Sequence, residues 1–526
     1  MPKVQLKAFG DMTKNKTTKA TNIIADNKLF DKMVLVASRR CLDMKNLLQH
    51  PLGTLPWALA NSDGTMKKTN KAALGRFLEK MVSPPDFIPS PSAYIVDGMA
   101  LLHKINGDNN TFASLAENIF MVVLQNSSES QRVDLVFDVY KNLSIKNAER
   151  DRRLSTKGVL FSNIAPGHKI KQWRKLLRCS ESKTALIKFL NDEWKKASYR
   201  DKLGQREMYI TCQEHCIRLT KDGTTECFDL MSSQEEADTR ILLHAKHASQ
   251  NYSAIIIASE DTDVFILSLA FSRDIGSLYI RCGTKTRTRI IDITKLATLL
   301  GEDTCTALIG MHSFTGCDSV SAFGGYGKVS AMKLVLKDKT VRDTMCTLGQ
   351  EWTLTNDLFL KLQQFTCLMY SKKTTVAEVN ELRYQLFRAK TGAIESGQLP
   401  PCEDCLFLHA LRANYQAAIW RNSLEKYPVI PNAVGNGWIL EEDQLSVEWM
   451  RGRPAPEIVL EFMACKCVKH CKLPSCQCLS NGFSCTSACK LQHCENMPEE
   501  QDDTPIEDFS DDDYEDDAED QIEITQ

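Results

Sequence analysis

The rhythm of hydrophobic and polar positions changes near residue 90. Up to that point a basic start and segments such as FDKMVLVASRRCLDMKNLLQ read as moderately helical, and VSPPDFIPSPS reads as a linker. Beyond it, short apolar runs alternate with amphipathic stretches. AYIVD and VDLVFD read as strands around the helix TFASLAENIFMVVLQ, and a basic helical region follows. QEEADTRILLHAKHAS then reads as a helix, AIIIAS as a fully buried strand, DVFILSLAF as a helix, SLYIRC as a strand, and TRIIDITKLATLL as a strand running into a helix. This βαβα order predicts an α/β fold, a mostly parallel sheet flanked by helices. EMYITCQEHCIRLTKDGTTECFDL reads as a small hairpin turning at Lys221-Asp222-Gly223. Residues from about 340 to 420 read as helical, and YPVIPNAVGNGW marks a loop boundary.

The pattern divides the chain into five parts: a basic N-terminal region with its proline-rich linker (1–90), the α/β domain (91–340), a helical extension and loop (341–460), a cysteine-rich module (463–496) and an acidic tail (497–526). Composition adds three constraints. With 43% hydrophobic and 25% charged residues the chain is globular in type, and it has no apolar run near the roughly 18 residues that a bilayer span needs. Its first residues are basic and polar without an apolar core, so no secretory signal is expected and the compartment should be reducing. The formal charge of −2 conceals a split, because residues 498–526 hold 15 acidic and no basic residues and leave +13 on the rest. A basic body suits a polyanion, and the tail should be disordered.

Acidic residues mark the expected carboxyl ends of the strands, where functional groups gather in a parallel α/β sheet. Asp97 closes AYIVD, Asp138 closes VDLVFD, and Asp261 and Asp263 follow AIIIAS. Glu236 and Asp238 open a helix, and Asp318 lies in the turn FTGCDS. One aspartate at a helix start is ordinarily an N-cap. Seven carboxylates on one rim need compensating charge, and divalent cations supply it. Two ions can generate hydroxide and stabilise a leaving oxygen in phosphodiester hydrolysis, and the hard oxygen donors favour Mg²⁺ or Mn²⁺.

From Tyr94 to Leu336 these residues resemble the flap-endonuclease branch of the PIN-like five-prime nucleases. The resemblance rests on Asp97-Gly98 ending the first strand, Asp138 after VF, Glu236-Ala237-Asp238 opening a helix, Ser259 to Asp263 as S-E-D-T-D, and Gly316-Cys317-Asp318 in a turn. It implies that all seven acids ligate two metal ions and act in catalysis. It also implies a duplex-phosphate grip after the Gly-Cys-Asp turn, here SVSAFGGYGKVSAMKLV. Gly324, Gly325 and Gly327 would let backbone approach a phosphate, and Lys328 would meet it at a helix start. Lys146, Arg150 and Arg152 are the candidates for the basic side chains that follow VFD in the family. The chain departs from that pattern in carrying some 90 residues ahead of Asp97, and in the segment from about 154 to 234 where an arch over single-stranded DNA would lie.

Of the 20 cysteines, eight fall between Cys465 and Cys494: Cys465, Cys467, Cys471, Cys476, Cys478, Cys485, Cys489 and Cys494. So many thiols with so little apolar sequence point to metal-supplied folding energy. The run resembles one half of a tesmin-type CXC domain, including Asn481-Gly482-Phe483 and Cys494-Glu495-Asn496. That implies two or three Zn²⁺ ions and the capacity to bind DNA. Leu491 stands where a ninth thiol is expected, with His493 as a substitute, and Ser475 stands where a tyrosine is usual. Cys402, Cys405 and His409 have half a zinc spacing but no second pair, and read as ordinary buried or exposed groups.

Two function classes remain open on the sequence. One is a metal-dependent nuclease acting on DNA, with RNA also open as a substrate. The other is a non-catalytic DNA-binding protein that keeps the nuclease-like fold as a scaffold and uses the CXC module for targeting, a combination that would suit derivation from a mobile element. Either reading places the chain in the nucleus, or otherwise in the cytoplasm.

Overall fold

The computed structural model describes residues 28–141, 143–153, 160, 164–284, 287–389, 396–463, 465–480, 485, 489–491 and 494–496. The acidic tail, Asn481 to Phe483 and His493 lie outside the described residues.

The apolar runs become strands buried on both faces. β1 (Ser92–Asp97), β2 (Arg132–Val136), β3 (Glu207–Cys212), β4 (His215–Leu219), β5 (Thr224–Glu226), β6 (Ala254–Ala258), β7 (Leu278–Thr284) and β8 (Arg287–Asp292) form one sheet in the order β5-β4-β3-β2-β1-β6-β7-β8. Its five central strands, β3-β2-β1-β6-β7, are parallel, and the edge pairings are antiparallel. The chain builds outward from β1 to β5 and then returns to lay β6 on the other side of β1. A topological switch point therefore lies between β1 and β6, the place where open α/β sheets leave a crevice beyond their carboxyl ends.

Alternation along β1 sends Ala93 and Ile95 to one core and Tyr94 and Val96 to the other. The second core is closed by the helices Phe112–Asn126 and Ser180–Trp194, where Trp194 donates its indole N–H to the Ala116 carbonyl at 3.1 Å. The first core is larger. It joins the sheet to Leu59, Leu74 and Leu78 from the N-terminal region and to Leu362, Phe365, Trp420 and Trp438 from the helical extension. The helix Lys71–Glu79 packs on Thr262–Ala270 and Lys328–Lys337, so chain from before the linker lies against the middle of the α/β domain.

Two elements differ from the expected pattern. The stretch read as a small hairpin is three strands, β3 to β5, and its first strand pairs in parallel with β2, so it forms the edge of the main sheet. Lys221-Asp222-Gly223 turns between β4 and β5, where Thr220 N–H donates to the Gly223 carbonyl at 2.9 Å. β9 (Trp438–Glu441) and β10 (Gln444–Val447) form a separate hairpin. Its two-residue turn places Glu442 at φ 48° and Asp443 at φ 61°, the left-handed backbone that suits the twist of a hairpin. Among the described residues no helix is long and apolar enough to cross a membrane.

Candidate metal centre

The acids stand where the parallel strands end, and local capping holds several of them there. Asp97 accepts from Ala100 N–H at 3.0 Å and starts the helix Gly98–Lys104. Asp261 accepts from Asp263 N–H at 2.9 Å and starts Thr262–Ala270, while Ser259 Oγ accepts from Asp261 N–H at 3.0 Å. Asp138, just past β2, accepts from Ala237 N–H at 2.8 Å and so ties the end of that strand to the helix Ala237–Ser249, which Glu236 and Asp238 open. Such a bond engages one carboxylate oxygen, so capping and metal ligation are compatible. One oxygen each from Asp238, Asp261 and Asp263 lie within 4.8 Å of one another, a spacing that could hold a metal ion.

Two lysines divide the cluster electrically. Lys71 Nζ lies 3.1 and 2.9 Å from the two Asp263 oxygens and 2.6 Å from Asp318 Oδ1. Lys146 Nζ stands further off, 3.4 Å from Glu236 Oε2, 3.6 Å from Asp318 Oδ2 and 3.9 Å from Asp238 Oδ2. Burial works against ionisation of Asp263, but Lys71 and His312 override it and hold the carboxyl well below the usual range. Asp318 is likewise held low against burial, by Lys146 and Lys71. The other side behaves oppositely. Burial, with Asp138 adding repulsion, pushes Asp97 up to about 6. Asp238 is raised by burial and Asp261, and Asp261 by burial and Asp263. Asp97 and Asp261 have no ion pair among the described residues. Crowded hard oxygens that resist losing their protons fit a divalent cation, whose charge reverses that resistance.

The remaining predicted residues divide by position. Lys146 reaches the acids from the helix Ile145–Arg153, whereas the side chains of Arg150 and Arg152 lie outside the described residues. The glycine-rich segment does not present itself as the sequence implied. Gly324 N–H donates to the Ala58 carbonyl at 2.9 Å, and Ala322 N–H donates to the Lys67 carbonyl at 2.8 Å, so residues 58–67 lie along it. Lys328 is only 1% exposed, and its ammonium donates to the His312 carbonyl at 2.7 Å and Thr315 Oγ1 at 3.0 Å. Burial pushes it down to about 7, so a surface phosphate contact is replaced by an internal one. Gly325 is open, at φ 77°, and Gly327 precedes the helix Lys328–Lys337 as its N-cap.

Three participants escaped the sequence reading. Lys71 and Lys68 come from the N-terminal region, and Lys68 Nζ bonds the Asp318 carbonyl at 2.9 Å and Glu149 at 2.8 Å. His312 bonds Asp263 Oδ1 through Nε2 at 2.7 Å. The basic run Lys67, Lys68, Lys71 was visible, but nothing in its spacing tied it to acids some 190 to 250 residues later.

All eight cysteines of the C-terminal module gather in one cluster. Cys465, Cys478, Cys485 and Cys489 form one set that could hold a metal, and Cys465, Cys471, Cys476 and Cys485 form another. Sulfur separations within these sets include 3.5 Å (Cys478–Cys489) and 3.9 Å (Cys465–Cys485), and a tetrahedron with metal–sulfur bonds of roughly 2.3 Å has edges of about 3.8 Å. The two sets share the edge Cys465–Cys485. Cys467 and Cys494 pack beside them and belong to neither. Cys402, Cys405 and His409 are buried and fall in no metal-holding group among the described residues; His409 Nε2 bonds the Phe314 carbonyl at 2.8 Å.

No family model matches the chain, and no curated protein matches it. Matching solved structures include the bacteriophage T5 flap endonuclease complexed with DNA and metal ions, at 11% identity and a TM-score of 0.31, covering 63% of this chain and 90% of that one. A putative arginyl tRNA synthetase from Campylobacter jejuni matches at 11% identity and a TM-score of 0.15, covering 68% of this chain and 97% of that one. Overlaps this loose assign no function to the chain.

Proposed function

We propose that the protein is a metal-dependent nuclease that hydrolyses phosphodiester bonds in DNA, using the acid cluster at the β1–β6 switch point. The observation that carries this reading is the grouping of Asp238, Asp261 and Asp263 within ligand distance, on a rim also reached by Asp97, Asp138, Glu236 and Asp318. These residues would hold Mg²⁺ or Mn²⁺, which supplies a hydroxide near neutral pH and offsets charge on the leaving oxygen. A bound cation would favour the ionised forms of Asp97, Asp238 and Asp261, which burial and neighbouring carboxylates disfavour, whereas Lys71 and Lys146 already favour ionised Asp263 and Asp318. Lys146, held beside the acids, is placed to draw a phosphate toward them, and the seven carboxylates otherwise repel it.

The cysteine module would hold Zn²⁺ on its two overlapping thiolate sets and would give the chain a second contact with DNA. A nuclear location fits that partner. A second reading, a DNA-binding scaffold without catalysis, is favoured by one observation: Lys71 and Lys146 already neutralise part of the acid cluster. The two readings separate in cleavage assays on labelled flap, duplex and single-stranded DNA and RNA with Mg²⁺ or Mn²⁺. Metal-dependent cutting that disappears in Asp261→Ala supports the nuclease, and intact DNA binding with no cutting supports the scaffold.

A further inference from the structure

We propose that Lys71 is a built-in second cation, so that the acid cluster takes one divalent ion where the sequence pattern implies two. The inference rests on the metal reading of the cluster given above and concerns how many ions it admits.

Lys71 Nζ spans both oxygens of Asp263, at 2.9 and 3.1 Å, and Asp318 Oδ1, at 2.6 Å. That is the position of a bridge between the two carboxylates. A divalent ion bound to the same oxygens at roughly 2.1 Å would fall inside the contact distance of the ammonium and be repelled by it. Asp263 Oδ1 also accepts from His312, so three of the roughly four acceptor directions of this carboxylate are engaged. The direction left over is enough for the metal position shared with Asp238 and Asp261, and not for a second bridge to Asp318.

The ammonium is held in place. Lys71 starts a helix whose Leu74 and Leu78 are fully buried in the main core, and the preceding strand of chain is pinned by the Ala322-to-Lys67 and Gly324-to-Ala58 backbone bonds. Its side chain is 21% exposed, so water does not screen the pair as it would at an open surface. Lys146 differs, since none of its three approaches is closer than 3.4 Å. Asp97 and Asp261, with no ion pair among the described residues, lie on the side that remains for a metal.

The test is Mn²⁺ stoichiometry on the full-length protein with zinc in its cysteine module, followed by electron paramagnetic resonance, which reports a close Mn²⁺ pair by spin–spin coupling. Wild type is expected to bind one Mn²⁺ at the cluster, lost in Asp238→Asn, with an uncoupled spectrum. Lys71→Met is expected to bind two with a coupled spectrum, Lys71→Gln provides the same comparison with a polar side chain, and Lys71→Arg should remain at one. Two ions in wild type, or one ion in both Lys71→Met and Lys71→Gln, overturns the inference and leaves the metal reading standing. No Mn²⁺ in wild type, or binding unaffected by Asp238→Asn, overturns the metal reading itself.

Discussion

His312 donates its Nε2–H to Asp263 Oδ1 at 2.7 Å from a fully buried position, its ring stacked on Trp420 with centroids 5.6 Å apart. A carboxylate can only accept here, so the proton sits on Nε2. Burial, with Lys328 nearby, pushes the imidazole down to about 4 and keeps it neutral. Its Nδ1 has no partner among the described residues, while the other nitrogen fixes the orientation of the Asp263 carboxylate. His312→Phe preserves ring volume and stacking but removes the donor. We predict a fall in Mn²⁺ affinity of roughly 10–100-fold, measured by titration. Unchanged affinity in a folded variant would assign His312 to packing alone.

The raised carboxyl of Asp97 sets a pH window. Its folded value of about 6 lies above the ordinary 3.8, so the folded protein holds this proton more tightly than the unfolded chain. The stability that follows is present below about pH 4 and is lost as pH rises through 6. In chelator, the Asp97 contribution should therefore lower the melting temperature across that interval, and Asp97→Asn should flatten the decline. Mn²⁺ affinity should move the opposite way, rising through pH 5 to 7 as the proton ceases to compete. Parallel thermal and binding titrations check both signs.

Sharing of one sulfur edge makes the cysteine substitutions unequal. Cys485 belongs to both thiolate sets and Cys478 to one. Cys485→Ser should reduce bound zinc at both positions, whereas Cys478→Ser should spare one. Metal analysis of the purified variants decides this, and equal losses would mean that the two sets do not act as a shared pair.

Away from the acid cluster, Arg132 forms two 2.7 Å bonds to Asp134, which also meets His244 Nδ1 at 2.7 Å, all three side chains being at most 1% exposed. Arg132→Met would strand a buried carboxylate and should cost about 3–5 kcal/mol in denaturant unfolding. The double variant Arg132→Met/Asp134→Leu removes both charges and should recover part of that loss. A single variant within about 1 kcal/mol of wild type would refute the prediction.

The strands that hold the acids were legible because their burial is total and their ends are polar. AYIVD, VDLVFD and AIIIAS become β1, β2 with its polar exit, and β6, and they deliver Asp97, Asp138 and Asp261 to one edge. What the sequence hid depends on long-range packing. Lys71 looks like one residue of a basic leader, and only the burial of Leu74 and Leu78 against the far side of the sheet aims it at Asp263. Lys328 follows a glycine-rich turn, which reads as a phosphate contact, but its helix is covered by the N-terminal region and the amine turns inward to His312 and Thr315. The hairpin of β4 and β5 turns where the sequence places it, but a tight turn does not reveal that the preceding β3 pairs with β2 and makes the hairpin an edge of the main sheet.

The main core places Leu59 and Leu74 together with Met332, Phe365 and Trp438. During synthesis those first residues wait for more than 350 others before Trp438 exists, so this face of the sheet closes late and its early apolar side chains are exposed to wrong partners in the meantime. A fragment starting at residue 91 would lose the N-terminal contribution to that core, including Leu59, Leu74 and Leu78, as well as Lys71. It should be expected to aggregate, and a search for a minimal folded piece should begin ahead of residue 50 and extend past the β9–β10 hairpin.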